Sequence, residues 1–243
     1  MNLFRGTVAV ITGASGGIGE AVALQLAREG AKLVLNGRSA EKLELVAERA
    51  RDLSPGVEVF AADLNADHAV LALADRAMKI FGGVDLLIHS IGLFVGGLFA
   101  TSPVEDLDRQ HRINVHAPYL LTQTLLPSLV ARQGQVVFVN SGAGFNPARA
   151  GWVGYAASKH ALRALADGLR EEVNKKGVRV MTVFPGRTAT PMQEEVHRYE
   201  GRDYDPERFL QPRDVAVSVM NALSLPRTAE VTDLHIRPMR GAG

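Results

Sequence analysis

The stretch Thr12-Gly13-Ala14-Ser15-Gly16-Gly17-Ile18-Gly19 follows the apolar run Val8-Ala9-Val10-Ile11 and leads into Ile18, Val22 and Leu26, which repeat at helical spacing. This order is a strand, a glycine turn and a helix, and few folds accommodate it. Glycines in such a turn let the backbone pass close to a pyrophosphate and let the helix pack tightly on its strand. The exposed N–H groups of the first helical turn then attract negative charge. A glycine cluster alone fits any tight turn; its place directly after the first strand points to a nucleotide.

The rest of the chain repeats the alternation. Strands read as Val8 to Ile11, Leu33 to Leu35, Val57 to Ala61, Val84 to Ile88, Val136 to Val139, Val178 to Phe184 and Val231 to Ile236, mostly apolar and separated by segments of helical period, such as Glu41 to Arg51. Strands that are apolar throughout belong to a parallel sheet covered on both faces. The expected fold is therefore α/β, a Rossmann-type doubly wound sheet of about seven strands. In the last run Thr232, Leu234 and Ile236 alternate with Asp233, His235 and Arg237, as on an edge strand with one wetter face.

No repeat, charge block or low-complexity linker marks a boundary, so the 243 residues read as one domain, and 47% hydrophobic content supplies its core. A net charge of +1 gives no case for nucleic acid or an anionic membrane as partner, and the absence of cysteine excludes thiolate catalysis and zinc–thiolate sites. The His residues form no metal motif; His111 and His116 read as ordinary helix and loop residues. Met1 to Arg5 lead directly into the first strand without a signal peptide, and no run is long enough to span a bilayer, so a cytoplasmic location is expected.

Chemistry enters at Gly154-Tyr155-Ala156-Ala157-Ser158-Lys159. On a helix Tyr155 and Lys159 share a face, and a fixed ammonium favours the phenolate, which makes a proton donor and acceptor of a group that is otherwise inert at neutral pH. Taken alone, the pair also fits a half-buried Tyr beside a solvated Lys.

Together these stretches resemble the short-chain dehydrogenase/reductase family over about Gly6 to Ile236. Thr12, Gly13, Gly17 and Gly19 meet its Thr-Gly-x-x-x-Gly-x-Gly pattern, and Tyr155 and Lys159 its Tyr-x-x-x-Lys. Two further positions match: Ser141 at the end of a strand, and Asn114 in the preceding long helix. The resemblance implies a carbonyl reductase type in which Tyr155 is the acid and base, Ser141 holds the carbonyl oxygen, and Lys159 lowers the phenol pKa and holds the nicotinamide ribose. Asn114 would support a water linking Lys159 to solvent. Cofactor contacts are implied for Gly13, Ser15, Gly17, Ile18, Gly19, Arg38, Asp63, Leu64, Ser90, Gly92, Pro185, Gly186, Thr188 and Thr190. Thr190 is preferred over Thr188 for the carboxamide, and His89 stands where the family usually has Asn.

The end of the second strand, Leu35-Asn36-Gly37-Arg38, lacks the acidic residue that accepts from a ribose 2'-hydroxyl. Arg38 has a guanidinium suited to phosphate, so NADP(H) is expected over NAD(H). Gly16 stands where the family's strongest NADP type carries Arg or Lys. The substrate is expected to be a small carbonyl compound or alcohol, met by Phe94, Phe145, Trp152 and Met192, with a lid at about 188–212. Reduction of a β-ketoacyl thioester, and a catalytically weak NADP(H)-sensing regulator, are the alternatives. Homodimers or homotetramers are implied through helices at about Val104 to Val130 and Trp152 to Lys175.

Overall fold

A computed structural model describes residues 3–239. Seven parallel strands form one sheet: β1 (Val8–Thr12), β2 (Lys32–Gly37), β3 (Val57–Ala61), β4 (Leu86–His89), β5 (Gln135–Val139), β6 (Arg179–Pro185) and β7 (Asp233–Ile236), in the spatial order β3-β2-β1-β4-β5-β6-β7. The order reverses between β1 and β4, and at such a switch point the loops after the two strands part to open a crevice.

The period of two along each strand explains why both faces are apolar. Ala9 and Ile11 pack with α1 (Gly17–Arg28), α2 (Ala40–Arg51) and α8 (Pro212–Leu223), whereas Val10 packs with α3 (Asp67–Phe81), α5 (Ala117–Ala131) and α6 (Val153–Val173) on the other side. β5 divides in the same way, Val137 to one core and Val136 and Phe138 to the other. As expected, β7 is an edge strand whose residues alternate between exposed and half-buried. Among the described residues no helix is long and apolar enough to cross a membrane.

Several boundaries differ from the sequence reading. β2 continues through Asn36 and Gly37, because the buried Asn36 amide donates to the Phe60 and Ala62 carbonyls of the neighbouring strand and its exit. β4 begins at Leu86, and β7 begins at Asp233. The long helix expected over Val104 to Val130 is broken into α4 (Val104–His111), a π turn (Arg112–His116) and α5. Pro118 has no N–H for the carbonyl of Asn114, and the Asn114 side chain turns instead to the Leu93 backbone, accepting from its N–H at 2.8 Å and donating to its carbonyl at 2.9 Å.

His89 closes β4 inside the core. Its ring stacks on Phe138 with centroids 4.9 Å apart, Nε2 meets Thr122 Oγ1 at 2.8 Å, and Nδ1 is buried without a partner. Burial lowers its pKa from 6.5 to about 3. The unfolded chain therefore takes up a proton below about 6.5 that the folded one refuses until about 3, and stability drains away as pH falls through that window. A slope of about 1.4 kcal/mol per pH unit is the ceiling for one such group. His89→Asn should flatten the fall in stability between pH 6.5 and 4, measured by urea unfolding at each pH; an unchanged slope would show that other groups carry it.

Candidate active site

The register of the sheet assembles the site. Thr12 pairs with His89 and His89 with Phe138, so the residues that follow on β1, β4 and β5 emerge side by side at the carboxyl edge. There they border a cleft of about 580 Å³.

One half of the cleft fits a dinucleotide. Gly13 has φ +67, and a Cβ there would lie 2.7 Å from the Ser90 carbonyl oxygen, so the loops after β1 and β4 touch through backbone alone. A Cβ on Gly19 would lie 2.3 Å from the Gly13 carbonyl oxygen, which is why α1 starts so close to its strand. The first turn of α1 has no side-chain cap, so its N–H groups are left for an anion from the cleft. Ser15, Gly17, Ile18, Arg38, Ser90, Gly92, Pro185, Gly186, Thr188 and Thr190 all line the cleft. Thr190 caps α7 (Pro191–Glu200), and its methyl would lie 3.0 Å from a Cβ on Gly17.

Asp63 and Leu64 are placed differently. The exposed Asp63 carboxylate accepts from the Asn65 N–H at 3.0 Å rather than capping α3, and the Leu64 side chain is buried in the core, because the chain turns inward there to start α3. Neither borders the cleft; Ala62 does.

The other half holds titratable groups. Tyr155 and Lys159 occupy one buried face of α6, with the Lys159 ammonium 5.8 Å from the centre of the Tyr155 ring and 3.3 Å from the Val139 carbonyl. Ser141 lies beside the Tyr155 hydroxyl and acts to lower its pKa. Ser141 Oγ accepts from the Ala143 N–H at 3.1 Å, which leaves its own proton free to donate. Burial pushes the Tyr155 phenol up to about 12, against the smaller downward pull of Ser141, and burial lowers Lys159 to about 8. The expectation that Lys159 lowers the phenol pKa is thus corrected: desolvation is the larger effect on both groups.

Asn114 lies behind the cleft wall and donates to Ser158 Oγ at 2.9 Å. Its Oδ1 and the Lys159 ammonium would each lie 3.8 Å from a Cβ on Gly92.

Phe94, Trp152 and Met192 border the same cleft, and Phe94 contacts both Trp152 and Tyr155, with centroids 4.8 and 5.3 Å apart. Phe145 does not join them. It turns outward against His235, Phe184 and the Arg163 guanidinium, since the 3-10 turn at Gly142–Gly144 directs it toward the β7 edge. Arg187 borders the cleft, but its guanidinium is held by both oxygens of Glu200 at 2.9 and 2.8 Å.

Three residues escaped the sequence reading. Lys42 in the first turn of α2 borders the cleft beside Arg38, and neither cation has an ion-pair partner among the described residues. Asn36 keeps its Oδ1 buried and unpartnered beneath them. Asn140 accepts from the Ser141 N–H at 2.8 Å and donates to the Lys159 carbonyl at 3.0 Å. The available signal for both asparagines was a polar residue ending an apolar strand.

The sequence profile of the short chain dehydrogenases matches residues 7–201. An uncharacterised oxidoreductase of Staphylococcus saprophyticus is 32% identical over 96% of this chain and 97% of its own. An alcohol dehydrogenase from Thermococcus sibiricus, solved with 5-hydroxy-NADP, superposes with a TM-score of 0.86 at 28% identity and covers 98% of each chain. A 7α-hydroxysteroid dehydrogenase, solved with NADH and 7-oxo glycochenodeoxycholic acid, gives a TM-score of 0.88 at 25% identity over 98% of this chain and 96% of its own. Sheet order, glycine cradle and matched sequence agree: the chain belongs to the short-chain dehydrogenase/reductase family of oxidoreductases.

Proposed function

We propose that the protein interconverts an apolar ketone or aldehyde and its alcohol with NADP(H). The observation that carries this reading is that Ser141, Tyr155 and the buried Lys159 meet in a cleft whose other half suits a dinucleotide. Bound NADP(H) supplies or accepts the hydride. Ser141 holds the substrate oxygen, and Tyr155, protonated throughout the neutral range, gives its proton to that oxygen as charge develops. Lys159 holds the ribose hydroxyls and, through Asn114 and a water, replaces the proton. The solved neighbours complexed with an NADP derivative and with a keto steroid support the cofactor and substrate class.

Preference for the 2'-phosphate rests on Arg38, just after β2, and Lys42, in the first turn of α2, neither with an ion-pair partner among the described residues. A Cβ on Gly37 would meet Ser15 Oγ at 2.9 Å, which disfavours an acidic side chain there. Segment 188–212, with α7 along the cleft, is read as the lid. A thioester reductase is less supported: of the four arginines that could dock a carrier, Arg109, Arg112 and Arg163 are tied to Asp106, Asp67 and Asp167, and only Arg149 borders the cleft. The exposed Tyr119, Ala164 and Gly168 on α5 and α6 suit docking of a second copy, for which the check is a particle mass that is a multiple of 26.1 kDa.

Purified protein mixed with NADPH and cyclic ketones should consume NADPH, and Tyr155→Phe should lower turnover about 100-fold or more with NADPH affinity kept. Tight NADPH binding without turnover across the panel would favour the regulator instead. In that assay kcat/KM for reduction should fall as pH rises through about 8, where Lys159 loses its charge; a flat profile to pH 10 would remove its role.

A Cβ on Gly16 meets nothing within 4 Å, and its φ of 168 is extended backbone that any residue adopts. Gly16→Arg should therefore raise NADPH-over-NADH preference about tenfold, the worth of one charge-assisted hydrogen bond, read from the two Kd values. An unchanged ratio would place the 2'-phosphate elsewhere.

A further inference from the structure

Helix α7 crosses the substrate half of the cleft, and its two sides are held differently. On the β6 side Glu200 pairs with Arg187, and His197 packs on Phe209 with centroids 5.0 Å apart. Toward the loops that follow β4 and precede α6, it reaches with Tyr199. A Cβ on Gly96 would lie 2.5 Å from that ring, and a Cβ on Gly151 2.4 Å from its hydroxyl oxygen. The ring thus fills a slot between two backbones that no larger residue would leave open. The Gly97 N–H, donating to the Gly151 carbonyl at 2.9 Å, ties the slot's walls together. Gly151 has φ +78, so its loop turns where a side chain would be strained.

The slot is connected to the chemistry by ring contacts. Tyr199 meets Phe94 edge-on at 5.8 Å, and Phe94 meets Trp152 and Tyr155. Val196 and Met192, on the same helix, complete the apolar wall around Phe94 and Tyr155. We propose that Tyr199 is a positioning residue for substrate selection: seated between Gly96 and Gly151, it holds α7 and Phe94 at the spacing that accepts a flat, ring-shaped ketone. This rests on the carbonyl-reductase reading above. Tyr199 is 43% exposed and packs through its ring, so it releases from the slot without opening the main core, and Phe fits where Ala does not.

Two readouts test the assignment, the first needing no turnover. With NADPH bound, backbone hydrogen exchange in α7 should quicken about tenfold in Tyr199→Ala and in Gly96→Ala, whose methyl expels the ring, while Tyr199→Phe stays like the parent. In steady state, KM for a flat bicyclic ketone such as 1-tetralone should rise about tenfold in the same two variants, while kcat for a small acyclic ketone and the NADPH Kd stay within about twofold. Unchanged exchange in both variants, or Tyr199→Phe behaving as Ala does, overturns the latch. Faster exchange with KM unchanged for both ketones overturns its part in selection. A parent protein that turns over no ketone refutes the reductase reading, and the exchange arm still decides whether Tyr199 positions the helix.

Discussion

The site hangs on one buried amide. Asn140, the residue after β5, accepts from the Ser141 N–H and donates to the carbonyl of Lys159 in the second turn of α6. These two bonds fix the distance between the strand that carries Ser141 and the helix that carries Tyr155 and Lys159. Gly144 permits the approach, because a Cβ there would lie 2.4 Å from Asn140 Oδ1 and 2.7 Å from the Lys159 carbonyl oxygen. A buried amide satisfied at both ends is costly to disturb, so the groups it aligns stay aligned.

That alignment is held against a stability cost. Lys159 is buried with its ammonium near a backbone carbonyl and no carboxylate, and its pKa falls to about 8 in consequence. His89 sits neutral in the core. Both groups are charged more readily in the unfolded chain, so each weakens folding increasingly as pH falls from its ordinary value towards its shifted one. A fold that keeps such groups draws on the continuous apolar packing of both sheet faces to offset them. The glycine contacts at Gly13 and Gly19 act differently: they remove side chains from the places where backbone must meet backbone, and thereby leave the cleft floor to the ligand.

Much of the fold was legible because its signals are local. Residues 8–11 and 136–139 are apolar throughout, which a strand between two cores requires, and the glycine turn identified the first strand–helix junction. The spacing of Tyr155 and Lys159 needed only the helical repeat. Other features depended on what lay across from them. Nothing around Asn114 announces a π turn without knowing that Leu93 will take its amide, although Pro118 was a clue in the sequence. Phe145 looked like a pocket residue by its nearness to Ser141, yet a short 3-10 turn sends it to Arg163 and His235. Leu64 was misread for the same reason, a turn beside it deciding which way it faced.

By itself, then, the sequence determined the parallel sheet, the glycine cradle and the shared helix face of Tyr155 and Lys159, since periodicity and spacing depend on neighbours a few residues away. The tertiary structure decided how those groups ionise, because burial is a property of everything packed around Tyr155 and Lys159. It also decided that Lys42 joins Arg38, that Arg187 is spent on Glu200, and that Tyr199 lies between Gly96 and Gly151. Each of these is a meeting of segments distant along the chain, and such meetings depend on where the packed elements bring their loops.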